Sequence, residues 1–147
     1  MIKLANNNHL NDILHIENRV FDKPWSRKQL QRDLILNDNT ENWVYVKNQK
    51  VVGYIIGLKV IDEFHLNNIA VDKNFQHQHI GRFLIEHVIK QLLNQNINKM
   101  YLEVSEKNVS AIQLYRSIGF KKIDKRIDYY SKGNHAFVYY LDLGNNV

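Results

Sequence analysis

Three stretches of the chain combine residue types that could do chemistry. The first runs Leu66-Asn67-Asn68-Ile69-Ala70-Val71-Asp72-Lys73-Asn74-Phe75-Gln76-His77-Gln78-His79-Ile80-Gly81-Arg82. It reads as a strand, a short polar loop, a glycine and a helix start. Successive backbone N–H groups at such a junction can surround a phosphate, and the helix dipole adds attraction for negative charge. Gly81 would let the backbone come close to that ligand. The plainer reading is a simple connection. The second stretch, Tyr101 to Asn108, puts Glu103 on the strand face opposite Leu102 and Val104. Its carboxylate is either a solvated surface group or a general base at the centre of a sheet. Asn108 reads as a helix N-cap. The third stretch, Ala111 to Phe120, offers Tyr115, whose hydroxyl is either the wet end of a packed ring or a general acid. His77 and His79 are close together, but no third ligand follows at a recognisable metal-site spacing.

Elements must position these groups, and the apolar period supplies them. Leu10, Ile13, Leu14, Glu17, Val20 and Phe21 recur at helical spacing. Asp22-Lys23-Pro24-Trp25-Ser26 reads as a turn into a second helix. That helix opens with Ser26 and Gln29 at capping-box spacing and continues its apolar face through Leu30 and Leu34. Three strands follow, Trp43 to Lys47, Lys50 to Val60 and Glu63 to Val71, the first two joined by a tight turn at Asn48-Gln49. Gly53 and Gly57 inside the second strand suggest a bulge or a close backbone approach. Helical period returns over Gly81 to Leu93, with Leu84, Ile85, Val88, Ile89 and Leu92 on one face. Lys99 to Ser105 alternates. A short helix carrying Ala111, Leu114 and Ile118 ends at Gly119, and strands Phe120–Ile127 and His135–Leu143 close the chain. The order β-α-α-β-β-β-α-β-α-β-β predicts an α/β fold: a mixed sheet with helices on both faces.

Composition bounds the rest. The 147 residues suit a single domain, 1–147, and 44% apolar with 24% charged residues is ordinary for a folded chain. There is no cysteine, so neither a disulfide nor a thiol nucleophile is available. The longest nearly unbroken apolar run, Val51 to Leu58, is too short to cross a bilayer. The first residues lack the apolar core of a signal peptide, and the expectation is a cytoplasmic protein with no membrane partner. The net charge of +5 favours anionic partners. The basic residues are spread rather than massed, so direct nucleic-acid binding is not expected.

Together these segments resemble the GNAT superfamily of N-acetyltransferases, over nearly the whole chain. The superfamily signature Gln/Arg-x-x-Gly-x-Gly/Ala is matched by Gln76-His77-Gln78-His79-Ile80-Gly81, with His79 where the first glycine is usual. Asn108, Ala111, Leu114-Tyr115 and Gly119-Phe120 resemble the second cofactor-binding region. Within the superfamily the chain looks like the RimI-like ribosomal-protein-alanine N-acetyltransferases. The stretches that carry this are Glu17 to Phe21 with Pro24-Trp25-Ser26, Asn68 to Val71, Leu102-Glu103-Val104, and Arg126-Ile127-Asp128-Tyr129-Tyr130.

The resemblance implies acetyl-CoA as co-substrate, no metal, and direct transfer in a ternary complex to the N-terminal α-amine of a ribosomal protein. It implies that the backbone of Ile69, Ala70 and Val71 pairs with the pantetheine arm. The residues from Gln76 through His77, Gln78, His79, Ile80 and Gly81 to Arg82 would hold the pyrophosphate, and Asn108 would bond the cofactor from the other side. Glu103 would be the base and Tyr115 the acid. Phe21, Trp25, Tyr129 and Tyr130 are either walls of the peptide site or core packing. The alternatives are a related enzyme acting on a small amine or a lysine side chain, and a non-catalytic module binding acyl-CoA or rRNA.

Overall fold

The switches between periods of two and 3.6 residues in the sequence become alternating strands and helices. The computed structural model describes residues 1–34 and 38–145. In chain order it contains β1 (Ile2–Leu4), α1 (Leu10–Val20), α2 (Arg27–Leu34), β2 (Trp43–Lys47), β3 (Lys50–Val60), β4 (Glu63–Val71), α3 (Ile80–Leu93), β5 (Lys99–Ser105), α4 (Val109–Ile118), β6 (Lys121–Ser131) and β7 (Asn134–Asp142). The strands form one sheet ordered β1-β2-β3-β4-β5-β7-β6. β4 and β5 are parallel, and the other neighbours are antiparallel. No helix among the described residues is long and apolar enough to cross a membrane.

Each face of the sheet is covered by one helix pair. Ile80, Leu84, Ile85, Val88 and Leu92 of α3 pack on Ile55, Phe64, Leu66, Met100, Leu102 and Val104, and Tyr115 of α4 joins this layer. On the other face, Leu10, Ile13 and Ile16 of α1 and Leu30 and Leu34 of α2 cover Val44, Tyr54, Ile56 and Ala70. The even-numbered residues of β4 serve both layers because the strand carries a bulge. Its pairing with β3 passes from Ile56↔Asn68 to Gly57↔Leu66, leaving Asn67 as the extra residue. Leu66 therefore belongs to the α3 layer and Ala70 to the α1 layer.

The turn chemistry follows the residues. Asn48 and Gln49 both take positive φ (53° and 65°), the backbone of the two-residue hairpin turn that suits the strand twist. The capping box at α2 is reciprocal: Gln29 N–H donates to Ser26 Oγ at 3.2 Å, and Ser26 N–H to Gln29 Oε1 at 2.9 Å. Replacing Ser26 with Ala is expected to cost about 1 kcal/mol, measured by urea unfolding, with little effect on the rest of the fold. An unchanged unfolding midpoint would mean that tertiary contacts alone set the start of α2.

Five boundaries differ from the expectation, four of them by one residue, including both ends of β7, and the end of β6 by four. α3 starts at Ile80, one residue early. β6 runs on to Ser131 instead of ending at Ile127. Ladder partners of β6 stop at Arg126↔Ala136 and resume at Ser131↔Asn134, so the expected end coincides with an interruption. Asp128 makes it: at φ 54° its N–H donates to His135 Nδ1 (2.9 Å), and its carboxylate accepts the Gly133 N–H (2.7 Å). Local side-chain bonds replace the missing rungs, and the chain rejoins the hairpin.

Candidate active site

β4 and β5 are held together only at one end. Their parallel ladder pairs Glu63–Leu66 with Lys99–Leu102 and stops there, at the bulge of β4. Beyond it the two strands part, leaving one edge of β4 open. Asp72 N–H donates to Val52 C=O at 2.8 Å, which fixes the direction of the residues before it. In an antiparallel ladder successive residues face opposite neighbours. Ala70 therefore turns its N–H and C=O to Tyr54 of β3, and Ile69 and Val71 turn theirs to the opening. Of the three residues nominated for backbone pairing, Ile69 and Val71 face the opening and Ala70 does not. Gln76 Nε2 donates to Val71 C=O at 3.1 Å, tying the following loop to this edge.

That loop ends at the N-terminus of α3. His79, the N-cap, adopts the left-handed conformation (φ 64°, ψ 16°) and makes no side-chain capping bond. His77 also has φ 64°. A histidine thus holds the backbone shape for which glycine is the usual solution, at a cost in conformational strain. The N–H groups of Ile80, Gly81 and Arg82 are free of helix partners by geometry, and no side chain caps them from the N-cap position. With the dipole of a helix of 14 residues behind them, they form an anion-binding end. Gly81 serves packing as well: a Cβ there would lie 3.3 Å from Leu114 Cδ2 of α4, so the glycine brings the two helices together. The Arg82 guanidinium points away from the loop, to Ser117 Oγ of α4 and, at 4.0 Å, Glu86. Gln78 Oε1 accepts from Lys47 Nζ at 3.0 Å. On the other side of the opening, Asn108 caps α4, its Oδ1 accepting from Ala111 N–H at 3.3 Å.

A pocket of about 250 Å³ lies across the opening from these cofactor-side groups. Trp25, Leu66, Asn67, Glu103, Tyr129 and Tyr130 line it. Three of the four aromatic candidates are therefore walls of one pocket, around the one carboxylate nominated as a base. Phe21 is not among the lining residues and packs against the α1 layer. Glu103 sits on β5 opposite Val138, on the face away from Leu102 and Val104 as alternation requires. Its Oε1 is 3.6 Å from Arg126 Nη2, and its side chain is 30% exposed, so both solvent and substrate can reach it. Arg126 is a residue of this site that sequence reasoning marked only as part of a family stretch. Tyr129 and Tyr130 meet edge to face at 5.1 Å, and Arg126 lies over the Tyr129 ring at 5.4 Å. Burial first, then the Tyr129 hydroxyl and the Glu103 carboxylate, push the Tyr130 hydroxyl up to about 12.

Tyr115 is buried in the α4 layer, its ring 5.7 Å from Phe120. Burial, then the neighbouring Tyr130 hydroxyl, raise its pKa well above the ordinary tyrosine value. Its hydroxyl therefore keeps its proton at neutral pH. Tyr115 lies in the layer of Leu102 and Val104, whereas Glu103 and Tyr130 line the pocket on the other face of β5. A larger cleft of about 500 Å³ between α4 and β6 contains neither nominated catalytic residue, and the Lys122 ammonium already caps its Phe137 wall at 4.4 Å.

Known proteins share this chain's sequence pattern and fold. The model of the acetyltransferase (GNAT) family matches residues 10–120. The chain belongs to the GNAT acetyltransferase family. The match contains the loop before α3, Glu103, Asn108 and Tyr115, whereas Arg126, Tyr129 and Tyr130 lie beyond it. The chain is 38% identical over 116 residues to an Escherichia coli K12 [ribosomal protein bS18]-alanine N-acetyltransferase, covering 79% of this chain and 77% of that one. It is 32% identical over 133 residues to the protein of the same name from Haemophilus ducreyi, covering 88% of each. The crystal structure of the Escherichia coli ribosomal-protein-S18-alanine N-acetyltransferase superposes with a TM-score of 0.91 at 33% identity, over 97% of this chain and 93% of that one. Ard1 from Thermoplasma volcanium shares the fold, with a TM-score of 0.86 at 23% identity over 97% and 96% of the chains.

Proposed function

We propose that this chain, acting as one domain over residues 1–147, is a cytoplasmic enzyme that transfers the acetyl group of acetyl-CoA to the N-terminal alanine of a small-subunit ribosomal protein. The observation that carries this reading is the pocket that sets Glu103 among Trp25, Tyr129 and Tyr130, beside the open edge of β4. The relatives named as bS18-alanine N-acetyltransferases support the choice of acceptor.

The chain's own groups fit the co-substrate. The open-edge N–H and C=O of Ile69 and the N–H of Val71 match the amides of a pantetheine arm, and the uncapped start of α3 matches a pyrophosphate. Gln76, His77, Gln78 and His79 shape that end, Ile80, Gly81 and Arg82 supply N–H groups, and the Asn108 side chain closes the cofactor site from α4. Acetyl-CoA, when bound, supplies the thioester carbonyl. The acceptor must be a neutral amine, because an ammonium has no lone pair. An α-amine near ~8 is easier to deprotonate than a lysine near ~10.4. Glu103 takes its proton, directly or through one water. An N–H on the open edge of β4 would stabilise the negative charge that develops on the carbonyl oxygen. The Tyr115 hydroxyl donates toward the departing sulfur. Its raised pKa opposes leaving a tyrosinate behind, so its part is hydrogen bonding as thiolate character grows.

Tyr115→Phe is accordingly expected to lower kcat about tenfold or more, with the acetyl-CoA Kd unchanged within a factor of two, as measured by steady-state rates and calorimetry. A kcat equal to wild type would remove Tyr115 from the reaction. The whole reading is tested by acetyl transfer to peptides beginning with Ala, Ser, Met and Glu, with spermidine as a small-amine control. Preference for the Ala peptide supports it. Transfer to spermidine alone would move the acceptor out of the peptide class.

A further inference from the structure

Glu17 is an acidic residue in the apolar stripe of α1, and only 1% of it is exposed. A buried carboxylate is costly unless its oxygens are fully hydrogen-bonded. Here Oε1 accepts from the Tyr54 hydroxyl and from Asn68 Nδ2 (2.7 Å), and Oε2 accepts the backbone N–H of Trp25 (2.9 Å). These three donors are neutral. The nearby Arg19 pairs instead with Asp72, at 3.5 Å. Burial, then the charge of Glu17, push the Tyr54 hydroxyl upward and keep it a donor.

An apolar residue would fill the space under α1 as well as a carboxylate does, often with greater stability. What an apolar residue cannot do is hold a backbone N–H. Tyr54 and Asn68 lie on β3 and β4, which the ladder already fixes. Trp25 lies in the turn between α1 and α2, where Pro24 has no N–H to give. The bond from Glu17 ties this turn to the sheet, and the Trp25 side chain is a wall of the Glu103 pocket. Asn68, on the same carboxylate oxygen as Tyr54, lies between Asn67 in the pocket wall and Ile69 on the open edge of β4.

We infer that Glu17 is a positioning residue, which fixes the Trp25 wall against β4 at the point where the strands part and so sets the affinity for the acceptor. This rests on the reading of the Trp25 pocket as the acceptor site. The carboxylate does not touch the reacting atoms, since its oxygens are occupied and buried.

The test is Glu17→Gln beside Tyr54→Phe. Both disturb the same buried cluster, but only the first replaces one of the two acceptor oxygens with an NH2 group, so that the Trp25 N–H and the Tyr54 and Asn68 donors compete for the single oxygen left. For Glu17→Gln, KM for an Ala-initiated peptide should rise at least tenfold, with kcat changed less than threefold and the acetyl-CoA Kd within twofold. Tyr54→Phe should lose thermal stability while its peptide KM stays within twofold of wild type. The chain has two tryptophans. In a Trp43→Phe background Trp25 is the sole tryptophan, and acrylamide quenching of its emission, excited where tyrosine does not absorb, should increase at least twofold on adding Glu17→Gln. An unchanged peptide KM and unchanged quenching for Glu17→Gln would overturn the inference, as would equal KM changes in the two variants. If Gln at 17 prevents folding, Glu17→Asp, which keeps the charge but shortens the reach to the turn, is judged by the same outcomes. The quenching comparison needs no acceptor, so it decides on Glu17 even if the wild-type enzyme acetylates something other than a peptide.

Discussion

Glu103→Gln is expected to lower kcat/KM for a peptide acceptor about a hundredfold or more at pH 7. Glutamine keeps the shape of the side chain but has no basic oxygen to take the ammonium proton. The loss should depend on pH with a defined sign. Below about pH 8 most acceptor amine is protonated, and the enzyme must remove the proton. Above it the neutral amine arrives in quantity and the base matters less. The gap between wild type and variant is therefore widest near pH 6 and narrows toward pH 9. The acetyl-CoA Kd should stay within a factor of two, because Glu103 lies in the acceptor pocket rather than at the loop before α3. Rates over this range, with calorimetry for the cofactor, decide it. A pH-independent deficit would mean that Glu103 binds the acceptor without serving as its base.

Gly57→Ala is expected to be the most damaging single-methyl change in the sheet. A Cβ at this position would fall 1.9 Å from Phe64 Cζ, with two more ring atoms at 2.4 and 2.7 Å. The Phe64 ring is fully buried beneath α3, so it can move only by displacing its packed neighbours. The backbone cannot yield easily either. Gly57 N–H donates to Asn42 Oδ1 (3.1 Å), and its C=O accepts from Glu41 N–H (3.0 Å). Overpacking of this kind costs about 3 kcal/mol. At about 2–4 °C per kcal/mol for a chain of this size, that lowers Tm by roughly 10 °C. Adding Phe64→Leu should recover part of the loss, because the smaller side chain vacates the space. A Tm within 2 °C of wild type for Gly57→Ala alone would contradict this packing.

Much of this arrangement was legible in the residues. The change from strand alternation to helical spacing near Gly81 placed α3 and the phosphate-facing loop before it. Alternation around Glu103 placed its carboxylate on the face away from the core. The Gly57 signal was equally direct: the close approach that such a glycine suggests is made by the Phe64 ring of β4, and the bulge beside it lies in β4 as well. The parts that stayed hidden depend on contacts distant in sequence. Ala70 was grouped with Ile69 and Val71, because a contiguous stretch does not reveal which residues face β3. That required the Asp72–Val52 bond to set the phase. His79 left the turn geometry open, since its left-handed backbone is an outcome of the surrounding structure rather than a preference of histidine. The end of β6 was misplaced because Asp128 supplies side-chain bonds in place of ladder bonds. Glu17 did show one sign, a carboxylate at a helical-face position otherwise apolar, but its partners come from the turn at Trp25 and from β3 and β4.

The most direct test of the account is the position of the acetyl group on one peptide that carries both a free N-terminal alanine and an internal lysine. After reaction with acetyl-CoA, fragmentation mass spectrometry locates the added mass. The expected result is acetylation of the alanine α-nitrogen, with the lysine untouched at equal exposure to the enzyme. Acetylation of the lysine Nε with a free α-amine left behind would contradict the account, because the acceptor pocket would then select a side chain rather than a chain terminus.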